Sequence, residues 1–133
     1  MKNIDKKDKD ILLILKENSR ISYKDIAETI KMSLPSTRER ILKLEESGYI
    51  KKYTIIEKTK KIIAYILVQT IKCIDFEKKL SNNENVIEIY RITGDYNYLI
   101  KTHFDSLEDI KNFQESLIKY GNSKLNIVSK EVK

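Results

Sequence analysis

Apolar residues in the first third of the chain recur at helical spacing. Over residues 5–18, Ile11, Leu12, Ile14 and Leu15 fall among Lys and Asp, which predicts an amphipathic helix with Asp5 and Asp8 placed to cap its first turn. Ser22-Tyr23-Lys24-Asp25 reads as a capping box, in which the serine oxygen accepts from a free amide and the acid reaches back. Ile26, Ala27 and Ile30 then form the inward stripe of a short second helix. After a break at Lys31-Met32-Ser33, a longer helix is predicted over 34–47. Pro35 fits its first turn, where amides lack an intrahelical partner, and Gly48 ends it. At 100° per residue, Thr37, Ile41 and Leu44 share one side and Pro35, Glu39 and Leu42 lie opposite. Ser36, Arg38, Arg40 and Lys43 occupy the flanks and early turns.

From residue 62 the pattern changes to runs of Ile, Val, Tyr and Thr. A strand is predicted over 62–72, a short helix over 75–80 and a second strand over 86–93. Gly94-Asp95 supplies turn chemistry before a third strand over 96–104, with Tyr96, Tyr98, Ile100 and Phe104 on one face. Ser106-Leu107-Glu108-Asp109 is another capping box, opening a helix whose Leu107, Ile110, Phe113 and Leu117 line one side as far as Gly121. A last strand is predicted over 125–132. The order β-α-β-β-α-β is the ferredoxin-like split βαβ arrangement. The expected fold is therefore α+β: a winged-type helix-turn-helix over 1–52, a linker or extended strand over 53–61, and a βαββαβ domain over 62–133. Two helices cover only one face of such a sheet, and the Ile and Tyr content of its strands predicts a second copy as the cover of the other.

Charge sharpens this division. The 133 residues carry a net +6, and residues 1–61, with 16 Lys/Arg against 10 Asp/Glu, hold all of it. The remaining 72 residues balance at 10 of each sign. A basic module joined to a neutral one points to a polyanionic partner for the first module. Other chemistries fall away. Cys73 is the only cysteine and His103 the only histidine, so an internal disulfide and a multi-cysteine or histidine-rich metal site are excluded, and a reducing cytoplasm is the expected setting. Neither a membrane-length apolar run nor a signal peptide is visible. The three glycines lie too far apart for a phosphate-binding loop, and no cofactor or catalytic group is expected.

Two short helices, a tight turn and a second helix bearing polar and basic residues near its start form the helix-turn-helix layout, which enters the major groove of double-stranded DNA. Ser33, Ser36, Arg38 and Arg40 are candidates for base-edge or nearby phosphate contact, and Lys43, Lys51 and Lys52 for phosphate neutralisation. Ser22, Tyr23 and Thr37 complete the candidate DNA-binding set.

These motifs, followed by Gly48-Tyr49-Ile50-Lys51-Lys52-Tyr53 and by Ile92-Thr93-Gly94-Asp95-Tyr96-Asn97-Tyr98-Leu99-Ile100-Lys101, resemble the Lrp/AsnC (leucine-responsive, feast/famine) transcriptional regulators. The most specific pieces are Arg20-Ile21-Ser22, Arg40-Ile41-Leu42-Lys43-Leu44-Glu45 and the Thr-Gly-Asp-Tyr turn. The resemblance implies a second domain of the RAM type, homodimers able to assemble into octamers, and an amino-acid effector held near the Gly-Asp turn. By position, Thr93, Gly94, Asp95, Tyr96 and Asn97 are the effector loop. Asn97 stands where the family commonly has an acid, and Lys31 where it commonly has a glycine. Two alternatives stay open: an architectural DNA-binding protein without an effector, and an enzyme resembling the siroheme decarboxylases.

Overall fold

The structure, a computed structural model, describes residues 3–133; Met1 and Lys2, the first two residues of the expected 1–52 module, lie outside the described residues. Helix α1 (Lys6–Glu17) starts at a complete capping box in which the Asp5 carboxylate accepts from the Asp8 amide and Asp8 returns the bond. Helix α2 (Tyr23–Ile30) is capped by Ser22, whose hydroxyl oxygen accepts from the Asp25 amide. Helix α3 (Leu34–Glu46) is capped in the same way by Ser33, with a proline in its first turn. Ile11, Leu15, Ile26, Ile30, Ile41 and Leu44 are buried together at the centre of the three helices. The predicted inward stripes are thus the real ones, because each helix can bury only one side in so small a bundle.

Between α2 and α3, Lys31 adopts φ 56° and ψ 55°, the one positive φ of a non-glycine among the described residues. The Lys31 amide donates to Glu28 O and the Met32 amide to Ala27 O, the paired bonds that close a helix end through a left-handed residue. The Lys7 ammonium reaches the Ile30 carbonyl at the same helix end.

Residues 51–60 form no regular element, and the chain divides into two compact units between Glu57 and Lys58. The second unit is a four-stranded antiparallel sheet in the order β2-β3-β1-β4. Its strands are β1 (Ile62–Thr70), β2 (Val86–Arg91), β3 (Tyr98–Phe104) and β4 (Gly121–Ile127). Helices α4 (Cys73–Ser81) and α5 (Leu107–Ser116), with Leu117 just after α5, bury Phe76, Leu80, Ile110, Phe113 and Leu117 against Ala64, Ile66, Val68, Tyr98, Ile100 and Phe104.

Several expected boundaries move. Leu107, placed on the buried side of its helix, is exposed because it sits in the first turn, ahead of the residues that reach the sheet. The third strand opens at Tyr98 instead of Tyr96. The last strand spans 121–127 instead of 125–132, with Gly121 as its first residue and not a helix stop. Gly121 pairs with Thr70 at φ +150°, and a Cβ there would lie 2.0 Å from the Gln69 carbonyl oxygen, so the strand can start this early only on a glycine.

The opposite face of the sheet has no cover within the unit. The residues that alternate with the buried ones put Ile63, Tyr65 and Leu67 of β1 on that face, beside Leu99 of β3 and Tyr90 of β2. Its polar positions pair locally, Tyr90 Oη donating to Glu88 at 2.7 Å and Lys101 lying 3.8 Å from the same carboxylate group.

Candidate nucleic-acid interface

The face that α3 turns away from its core is set by Thr37, Ile41 and Leu44, all buried. Thr37 was expected at the interface. It is instead fully buried, its hydroxyl donating to the Ser33 carbonyl at 2.9 Å, so it cannot reach a ligand of the helix. Ser33 and Ser36 lie exposed at the N-terminus of α3 and bond each other at 2.9 Å. Arg38 is exposed and has no ion-pair partner among the described residues. Ser22 and Tyr23 lie exposed at the start of α2, where free amides and the helix dipole favour a phosphate.

Arg38 and Arg40 are two residues apart, or about 200° around the helix, and so occupy opposite flanks. Arg40 faces α1. Its Nη1 donates to Asp5 Oδ2 at 2.7 Å and to Asp8 Oδ1 at 2.9 Å, so this candidate for base-edge or phosphate contact is already engaged by two acids of its own unit. The backbone bond from Asp8, and secondly Arg40, holds the Asp5 carboxyl below its ordinary range. Lys43 pairs with Glu39 at 2.8 Å, both side chains about two-thirds exposed; such a pair exchanges readily for a phosphate because in water it contributes little. On the other flank, Tyr53 donates to Glu45 at 2.7 Å, and burial followed by that carboxylate pushes the phenol well above its usual range.

In the second unit, Thr93, Gly94 and Asp95 are exposed and Tyr96 and Asn97 half-buried. They do not form a two-residue hairpin. The loop spans 92–97 and is closed by an Ile92 amide bond to Asn97 O at 3.0 Å. Asn97 is the anchor: its amide donates to Val68 O at 3.0 Å, its Oδ1 accepts from the Thr70 amide at 2.9 Å and its Nδ2 donates to Thr70 O at 2.8 Å. The side-chain amide thus mimics a strand residue, which is why Tyr96 falls outside β3. An acid at 97 could accept from Thr70 but could not donate to it. Asp95 is left as the loop's one exposed carboxylate.

Beside this loop, Tyr98 Oη donates to Glu77 at 2.6 Å and Arg91 bonds the same carboxylate oxygen. Arg91, and then Tyr98, hold the Glu77 carboxyl below its ordinary range. Nothing in the sequence singles out Glu77, because its partners come from β2 and β3 and meet α4 only in the folded unit.

Residues 4–51 match the family described as winged helix-turn-helix DNA-binding, and residues 63–133 match the Lrp/AsnC ligand binding domain. The chain belongs to the Lrp/AsnC family of transcriptional regulators. Among curated relatives, the HTH-type transcriptional regulator LrpB of Bacillus subtilis is 33% identical over 98% of this chain and 91% of its own. LrpC of the same organism is 32% identical over 97% and 94%. The solved structure of B. subtilis LrpC superposes with a TM-score of 0.92 at 27% identity, covering 98% of each chain. The regulator NMB0573 of Neisseria meningitidis, solved as a complex with L-Met, superposes with a TM-score of 0.91 at 24% identity, covering 98% of this chain and 93% of that one; at that identity it supports the shared Lrp/AsnC fold. The protein is accordingly a DNA-binding transcriptional regulator of the Lrp/AsnC type with a ligand-binding domain.

Proposed function

We propose that this regulator reads its operator with the N-terminal turns of α3: Ser33, Ser36 and Arg38 face the base edges, while Ser22, Tyr23 and Lys43 hold phosphates. The observation that carries this reading is Arg38, an exposed guanidinium with no ion-pair partner among the described residues, next to the helix start that a major groove receives first. A homodimer formed across the uncovered sheet face supplies the second half-site, and dimers of this kind are able to build octamers. The loop 93–97 receives an amino-acid effector, with Asp95 facing its ammonium group. The ligand-binding domain match and the L-Met held by the N. meningitidis relative support an amino-acid effector for this domain, and the exposed Asp95 carboxylate supports its placing at this loop. The proposed modules are 1–52, 53–61 and 62–133, with the division between Glu57 and Lys58 falling inside the linker. The relatives are named as transcriptional regulators, which supports a role without catalysis in the cytoplasm, and no described helix is long and apolar enough to cross a membrane.

The test is binding of the full chain to a duplex that it selects from a random library, against random duplex of the same length. Arg38→Ala is expected to weaken binding to the selected duplex by about tenfold or more while sparing the random one, since a good guanidinium–guanine pair discriminates by about 1–3 kcal/mol. Unchanged discrimination in the variant refutes the assignment, and equal wild-type affinity for both duplexes favours the architectural reading. For the effector, a thermal-shift screen of the twenty amino acids is expected to yield one that raises the melting midpoint, since about 100-fold excess over Kd stabilises by about 2.7 kcal/mol. Asp95→Ala should abolish that shift; a shift that survives it removes the loop from the site.

A further inference from the structure

We infer that Arg40 is a positioning residue for DNA recognition, acting through α1 and not through DNA; this rests on the operator-reading role proposed for α3. The basis is a closed network. Asp5 Oδ1 accepts from the Asp8 amide and Asp5 Oδ2 from Arg40. Asp8 Oδ2 accepts from the Asp5 amide and Asp8 Oδ1 from Arg40. All four carboxylate oxygens are engaged, and one guanidinium nitrogen serves both acids. The capping box that starts α1 is therefore also the docking point of α3.

The need for such a point follows from how α3 is packed. Its buried contacts, Thr37, Ile41 and Leu44, form one narrow stripe, and apolar packing is not directional. A helix seated on a single stripe can roll about it. A roll of about 10° moves a side-chain tip some 7 Å from the axis by about 1 Å, enough to misalign a bidentate base contact. Hydrogen bonds off the stripe resist that roll. Arg40 supplies them on one flank, and Glu45 with Tyr53 on the other. Arg38 sits on the flank opposite Arg40, so the tether and the reader act on either side of the same pivot. With two carboxylates on it, the Arg40 site has a net negative local charge, unsuited to a phosphate.

The experiment compares wild type, Arg40→Ala and the double variant Asp5→Asn/Asp8→Asn on the selected and random duplexes over a salt series, well below each protein's melting midpoint. Asparagine caps helices as well as aspartate does, so the double variant retains α1 while withdrawing the acceptors from Arg40 and leaving its charge free. Both variants are expected to lose discrimination by about tenfold, with the slope of log affinity against log salt unchanged. A slope reduced by about 1 in Arg40→Ala, with tighter binding by the double variant, makes Arg40 a phosphate contact and overturns the inference. Unchanged discrimination in both variants reduces the network to a purely structural one and overturns it equally. If wild type itself selects no duplex, it is the operator-reading role that fails, and the inference with it.

Discussion

At the scale of single residues, two positions show how the backbone decides what a side chain must be. Lys31 holds φ 56° in the turn between α2 and α3, where a Cβ crowds the following carbonyl at a cost of roughly 1–2 kcal/mol. Lys31→Gly is therefore expected to stabilise the protein by about 1 kcal/mol, after allowing for glycine's greater freedom when unfolded. Chemical denaturation reads this directly, and an unchanged or lower midpoint would show that the lysine repays its strain through contacts of its own. The sequence pattern raises this expectation, since the turn is short and glycine is absent from it. The role of Asn97 is different: an asparagine before a strand reads as a turn residue or a ligand contact. Only the approach of Thr70 turns it into a substitute for a strand backbone.

At the scale of elements, capping chemistry is the most legible part of the chain. Asp5, Ser22 and Ser106 each cap the helix start where their spacing places them, because these bonds are local and need no tertiary partner; only Asp8 returns the bond, so the boxes expected at Ser22 and Ser106 form their serine half alone, without a bond back from Asp25 or Asp109. Strand ends are less legible, since pairing partners decide them. β4 begins at Gly121 because Thr70 lies beside it. The acids also give the elements a pH signature. Asp5 and Glu77 are both held below their ordinary values in the fold, Asp5 chiefly by the Asp8 amide and Glu77 chiefly by Arg91. A lowered folded value means that the stabilisation is complete above the unfolded value and is lost as pH falls through the folded one. Thermal midpoints should hold steady from neutral pH to about 5 and fall below about pH 4. Asp5→Asn should flatten part of that acid limb; an identical acid limb in the variant would mean that Asp5 contributes nothing to it.

At the scale of the whole molecule, the uncovered sheet face is left for a partner, and its alternating residues define how to test it. If the proposed homodimer forms across this face, Leu67→Lys, at its centre opposite Leu99, is expected to leave the protein monomeric in light scattering while keeping the circular dichroism of the sheet intact. A dimer that survives the charge locates the association elsewhere. Hydrophobic period, capping residues and charge asymmetry were enough to establish three helices followed by a βαββαβ unit, with the basic excess on the first part, because those signals act within a few residues of one another. They also marked Ser33, Ser36 and Arg38 as outward-facing. They could not show that Arg40 is held by two acids more than thirty residues earlier in the chain, that Thr37 points inward to the Ser33 carbonyl, or that Glu77 gathers Arg91 and Tyr98. In each case the partner arrives only when separate elements pack, and a side chain's chemistry depends on which neighbour then satisfies it.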